Sequence, residues 1–111
     1  MLPRSSLPNL NKNLNCYEIN MSLDNETKEI FCIAQEECAE VTQAISKVFR
    51  FGMESIHNDR TNKERLEEET GDLLAMIEIM MEKCIISDSA VNEARKAKRE
   101  KLKTWSTIKG L

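Results

Sequence analysis

A chain of 111 residues with 41% hydrophobic content fits one domain with a core of modest size, and a second domain is not expected. Only 5% of residues are aromatic and three are Gly, while Glu, Lys, Ala, Leu, Ile and Met are plentiful, a composition of helices rather than sheets. The formal charge of −3 and the pI near 5.3 exclude a protein whose main task is wrapping a nucleic-acid backbone, which needs a net positive face.

Residues 1–21 hold both prolines, Pro3 and Pro8, and are rich in Asn and Ser; they read as a flexible leader or as an arm that docks on a partner subunit. Arg4 and Lys12 are present without an apolar run beside them, so the stretch is not a secretory signal, and Met21 is an alternative start. From Ser22 to Phe51 there is no Pro or Gly, and Ile30, Ile33, Ala34, Val41, Ala44, Ile45 and Val48 recur at spacings of three and four. That pattern predicts one long amphipathic helix, capped by Ser22 or Asp24 and stopped by Gly52. Residues 52–61 read as a loop, and Thr61 with Glu64 forms a capping box for a second helix that runs to about Ile86 on Leu66, Leu73, Met76, Ile77, Met80 and Cys84. Ser87, Asp88 and Ser89 offer N-caps for a third helix over 90–105, with Val91, Ala94, Lys98, Leu102 and Trp105 along one side. The fold class is therefore all-α, a long antiparallel helical hairpin plus a third helix. Helices of about 24–28 residues span roughly 36–42 Å, more than one short helix can cover. A homodimer or homotetramer completing a four-helix bundle is the expected remedy.

Within this frame the carboxylates are placed selectively. At about 100° per residue, with Ile33 at zero, Glu37 falls near ~40° and Glu40 near ~−20°, among Ala44, Val48 and Val41. With Leu66 at zero, Glu69 falls near ~−60°, inside the second stripe, Asp72 near ~−120°, at its edge, and Glu68 near ~200°, toward solvent. An unpaired carboxylate on a buried stripe costs several kcal/mol, and Lys47, Arg50, Lys63 and Arg65 lie a turn or more away. A hard dication with oxygen ligands meets the need. His57 is the single histidine, and Cys16, Cys32, Cys38 and Cys84 have no zinc-ligand spacing, so Mg²⁺ or Mn²⁺ is favoured over Zn²⁺ or Fe, and the thiols are read as reduced in a cytoplasmic protein. A lone E-x-x-E is usually a solvated helix face. Here two acidic pairs sit on the stripes of successive helices.

The blocks QEECAEVTQAISK and RLEEETGDLLAMIE resemble, in this order, the E-E-x-x-E and E-E-x-G-D motifs of the MazG-like all-α nucleoside triphosphate pyrophosphohydrolases. The likeness covers about residues 25–105 and is greatest to the short, single-domain phage and bacterial members, which implies the cytoplasm of a host if the chain is phage-encoded. Thr70 departs from the apolar residue usual before the Gly-Asp pair, and the leader has no counterpart. The resemblance implies that Glu37, Glu40, Glu69 and Asp72 bind Mg²⁺, that Glu36 at the rim is a further ligand or a water-orienting base, and that Gly71 lets the helices approach closely. The implied reaction is hydrolysis of a nucleoside or deoxynucleoside triphosphate to the monophosphate and pyrophosphate, in control of the nucleotide pool. Spare phosphate charge calls for cations, and Lys47, Arg50, Lys98 and Lys101 are the candidates. A dUTPase or a phosphoribosyl-ATP pyrophosphohydrolase would use similar acids. The non-enzymatic alternative is a helical module that pairs with partner helices; a di-iron bundle is disfavoured because neither motif has the E-x-x-H histidine. No membrane or nucleic-acid polymer is expected as a partner.

Among the remaining residues, His57 is expected in an exposed loop, and Met76, Met80 and Met81 in the core. Phe51 and Trp105 are read as core or subunit contacts that can also stack on a base. Cys38 is read as a small buried hydrophobe.

Overall fold

A computed structural model describes residues 23–111; the expected leader lies outside them. Three helices take up 74% of the described residues, as an all-α reading requires, with one small two-stranded sheet that the sequence did not announce.

Helix α1 spans Asn25–Phe51. Asp24 rather than Ser22 caps it: its carboxylate accepts the Thr27 N–H at 2.7 Å, and that backbone bond holds the Asp24 carboxyl below its ordinary range. Gly52, at φ 91, turns the chain out of the helix while its N–H still donates to the Val48 carbonyl. The connection is tighter than a plain loop. Strands β1 (Ile56–His57) and β2 (Arg60–Thr61) pair antiparallel, Ile56 opposite Thr61. Asn58 and Asp59 between them take φ of 54° and 65°, the two left-handed positions of a two-residue hairpin turn, for which Asn and Asp are among the best-suited residues after Gly.

Helix α2 spans Asn62–Glu82 and starts on the expected capping box. Glu64 N–H donates to the Thr61 hydroxyl at 3.0 Å and Thr61 N–H to the Glu64 carboxylate at 2.8 Å, which lowers the Glu64 carboxyl. Asn62 is the one buried polar residue among those described. Its amide donates to the carbonyl of Gly52 at 2.9 Å, an oxygen just past the end of α1 with no helical partner, and more weakly to that of Lys47 at 3.5 Å, which already takes part in the last turn of α1. Asn62 N–H to Ser55 and Lys63 N–H to Met53 add two backbone ties, so the chain reversal is held at several points. These ties set how far along α1 each turn of α2 lies.

The second helix ends four residues before the expected Ile86. Cys84, assigned from the sequence to the helical stripe, instead stands at φ 58 beyond the helix end. Its N–H donates to Met81 and that of Ile85 to Met80, the paired bonds of a Schellman motif. Ile85 then folds back onto the core beside Ile79 and Met80. The α2 end lies near the α1 start, where Lys83 meets Glu26 at 3.3 Å, so the hairpin is antiparallel as expected.

Ile30, Ala34 and Met76 form the core, flanked by half-buried Ile33, Ile79, Met80 and Ile85, and among the described residues no large side chain is fully buried. Cys38 and Phe51, expected in or near a core, are exposed: the α1 surface that carries Cys38 faces away from α2, and Phe51 is the last residue of α1. Helix α3, Asp88–Trp105, is capped by Ser87 and has no buried residue; Trp105 is 81% exposed. The radius of gyration, 18.4 Å, is well above the roughly 13 Å of a compact chain of ~100 residues. Among the described residues no helix is long and apolar enough to cross a membrane.

Two substitutions test these local arguments. A left-handed backbone costs a non-Gly residue about 1–2 kcal/mol, partly offset by the extra chain entropy Gly loses on folding. Cys84→Gly is expected to raise the melting temperature by a few degrees in a calorimetric scan. Asn62→Ala leaves the Gly52 carbonyl without its donor and is expected to cost about 1–3 kcal/mol in urea unfolding.

Candidate metal centre

The ties at the hairpin tip align the two acidic blocks across the helix pair. One carboxylate oxygen from each of Glu37, Glu69 and Asp72 lies within 4.8 Å of the others. Glu37 and Glu69 are half-buried and Asp72 is exposed, so the cluster has a sheltered floor and an open side. Burial raises the carboxyl of Glu37, with Asp72, Glu40 and Glu36 adding to it by repulsion. Burial likewise raises Glu69, followed by the charges of Glu40, Asp72, Glu68 and Glu37. Among the described residues, the ion pairs engage Glu68, Glu26, Glu93 and Glu100, and none engages the five candidate acids.

Three oxygens without nitrogen or sulfur suit a hard cation. Opposite ligands of a Mg²⁺ ion stand about 4.2 Å apart at Mg–O distances near 2.1 Å. At most one pair of three such oxygens can stand opposite, adjacent ones lying about 3.0 Å apart, so the three carboxylates, within 4.8 Å of one another, would have to rotate inward to share one ion. Glu40 is exposed and is not part of this close trio. It lines the adjoining cleft, with Gln43, Ala44, Lys47, Arg65 and Glu69. Glu36 is exposed at the rim.

The expected cations divide. Lys47 lines the cleft beside Glu40 and Glu69. Arg50 does not line it; its guanidinium lies over the Phe51 ring, 4.9 Å from the centroid. Lys98 and Lys101 are exposed on α3 and do not line it either. Arg65, not among the expected phosphate contacts, is half-buried in the cleft. Its signal is present in the sequence, since Arg65 lies four residues before Glu69 and so shares its helix face. The close approach expected at Gly71 is not found: a Cβ there would meet nothing within 4 Å, because Gly71 faces away from α1. The hydroxyl of the unusual Thr70 donates to the Leu66 carbonyl at 2.7 Å and makes no tie to the acids. His57 is exposed at the hairpin turn, as expected.

No protein-family model, curated protein or solved structure matches this chain.

A carboxyl raised in the folded state stabilises the fold when protonated, and that contribution is lost as pH rises through its folded pKa. Glu37 and Glu69 therefore weaken the metal-free protein from their ordinary value of 4.5 upward. Without metal, Glu69→Gln is expected to melt higher than the native chain by a few degrees at pH 7, with the gap closing toward pH 4. A gap that stays constant with pH would assign the effect to packing instead.

Proposed function

We propose that this protein is a Mg²⁺-dependent nucleoside triphosphate pyrophosphohydrolase of the MazG-like kind, acting on deoxynucleoside or nucleoside triphosphates. The observation that carries the reading is the meeting of Glu37 with Glu69 and Asp72 across two helices, with no cation paired to any of them among the described residues. It joins acids 32 and 35 residues apart, from two sequence blocks that resemble that family's motifs.

A triphosphate brings about four negative charges and is repelled by bare carboxylates. In this reading Glu37, Glu69 and Asp72 hold the ion, with Glu40 able to reach it by rotation from the cleft edge. Bound there, Mg²⁺ supplies charge neutralisation between carboxylate and phosphate oxygens and acidifies water in its coordination sphere. Mn²⁺, with the same preference for oxygen, can replace it. Glu36 and Glu40 accept the proton of the attacking water. Water adds its oxygen to phosphorus, the bridging bond between the α- and β-phosphates breaks, and pyrophosphate leaves with the electron pair. Lys47 and Arg65 bind phosphate oxygens from the cleft wall; Arg65 suits a bidentate contact. Arg50, Lys98 and Lys101 reach substrate only if a second chain or a loop movement carries them there.

The same reading includes the four-helix bundle. With four buried apolar side chains in the described part of the chain, a second copy is the natural source of further core.

Purified protein with Mg²⁺ and a panel of ribo- and deoxynucleoside triphosphates is expected to release pyrophosphate and the monophosphate. Glu69→Gln is expected to lower kcat by at least ~100-fold with the fold intact by circular dichroism, and Arg65→Ala to raise KM more than it lowers kcat. Activity that survives Glu69→Gln would overturn the ligand assignment. An inactive native chain whose melting temperature does not respond to Mg²⁺ would favour the helical interaction module.

A further inference from the structure

The side of α1 opposite the acids has an unusual composition. At about 100° per residue, Phe31, Gln35, Cys38, Thr42, Ile45, Ser46 and Phe49 fall within one ~100° arc. No charged residue of α1 between positions 31 and 49 falls in it, in a chain that is 32% charged. Phe31 is 37%, Ile45 42% and Phe49 87% exposed. On α2, Thr70, Leu74, Ile77 and Met81 fall within a ~60° arc, and Leu74 is 54% exposed. Because the helices run antiparallel, both arcs lie on the same side of the hairpin, with Glu40 and Asp72 toward the other. Two helices about 10 Å wide along roughly 30 Å offer about 600 Å² per chain, so a symmetric pair would bury about 1,200 Å², the lower bound of a specific interface. The absence of Lys and Arg from the α1 arc argues against a nucleic acid or an anionic membrane as the occupant.

The spacing selects a second copy and a register. Phe31 and Ile45 each lie seven residues from Cys38. We infer that α1 packs antiparallel against α1 of a second copy, with the two-fold axis passing beside Cys38, so that Phe31 meets Ile45 of the partner subunit at both ends and the two small Cys38 side chains meet at the centre. An isologous contact needs a patch that is its own complement, and this one is. Antiparallel packing also sets the helix dipoles against each other favourably, where a parallel pair would align them. The seven-residue step keeps the row on one face over 14 residues, as in a coiled-coil seam. The inference rests on the two-chain bundle proposed above and gives its face and register; it leaves both acidic centres on the outside of the pair.

The test uses the full chain in EDTA without nucleotide, so the metal centre plays no part. Sedimentation equilibrium at tens of micromolar is expected to give a dimer. Of chains that keep a single cysteine, the one with Cys38 is expected to cross-link to a dimer with a short bis-maleimide, and the one with Cys32, on another side of α1, is not. In a cysteine-free background, I45C is expected not to cross-link to itself, since its two copies would be about 21 Å apart; mixed with F31C it is expected to form the mixed dimer. I45K, at a position already exposed in the single chain, is expected to yield a helical monomer. A native monomer would overturn both the bundle and this register. A dimer cross-linked through Cys32 and not Cys38, or an I45C chain that cross-links to itself, would overturn the face or the register and leave the bundle standing.

Discussion

Carboxylates of like charge, gathered on a half-buried surface, oppose the packing that gathers them. Glu37, Glu69 and Asp72 meet because α1 and α2 are aligned by the chain reversal at residues 52–62, and there burial and mutual repulsion raise the carboxyls of Glu37 and Glu69. The core on the other side of that balance is small: Ile30, Ala34, Ala44 and Met76 are its buried members. A fold so balanced gains from anything that neutralises the acids or adds apolar contact, so the proposed cation and the proposed second chain would each stabilise it.

Charge is also divided along the chain. Residues 23–82 hold fifteen Asp and Glu against six Lys and Arg, whereas α3 holds six Lys and Arg against three acids. The acidic hairpin suits a cation. For the proposed triphosphate it cannot by itself supply enough positive charge, and Lys47 and Arg65 are the two basic side chains it brings into the cleft. The basic helix buries none of its residues in the single chain.

Much of the architecture was legible in the sequence because it follows from local rules. The Asp24 cap, the Gly52 stop, the Thr61–Glu64 box and the Ser87 cap each satisfy helix-end groups with residues a few positions away. The misses occur where chemistry is atypical or contacts are distant. Cys84 occupies a left-handed position normally given to Gly, so the stripe appeared to continue through it. The Asn58–Asp59 turn lacks the Gly that usually marks such a hairpin. Asn62 bonds carbonyls ten and fifteen residues back, which no periodicity reveals. Of the candidate site, Glu37, Glu69 and Asp72 come together as the helical count implied, while Glu40 lies just outside and Arg50 turns to Phe51. Helical angle fixes the side on which a residue lies; it does not fix the distance a long side chain reaches.

In the proposed reading the two acidic blocks hold one kind of cation between the helices. Crystals grown with Mn²⁺ and measured at the manganese absorption edge test it most directly. An anomalous peak coordinated by carboxylate oxygens of Glu37, Glu69 and Asp72 is expected. A well-ordered crystal form with these carboxylates paired to Lys or Arg side chains, and manganese absent from between them at millimolar concentration, would contradict it.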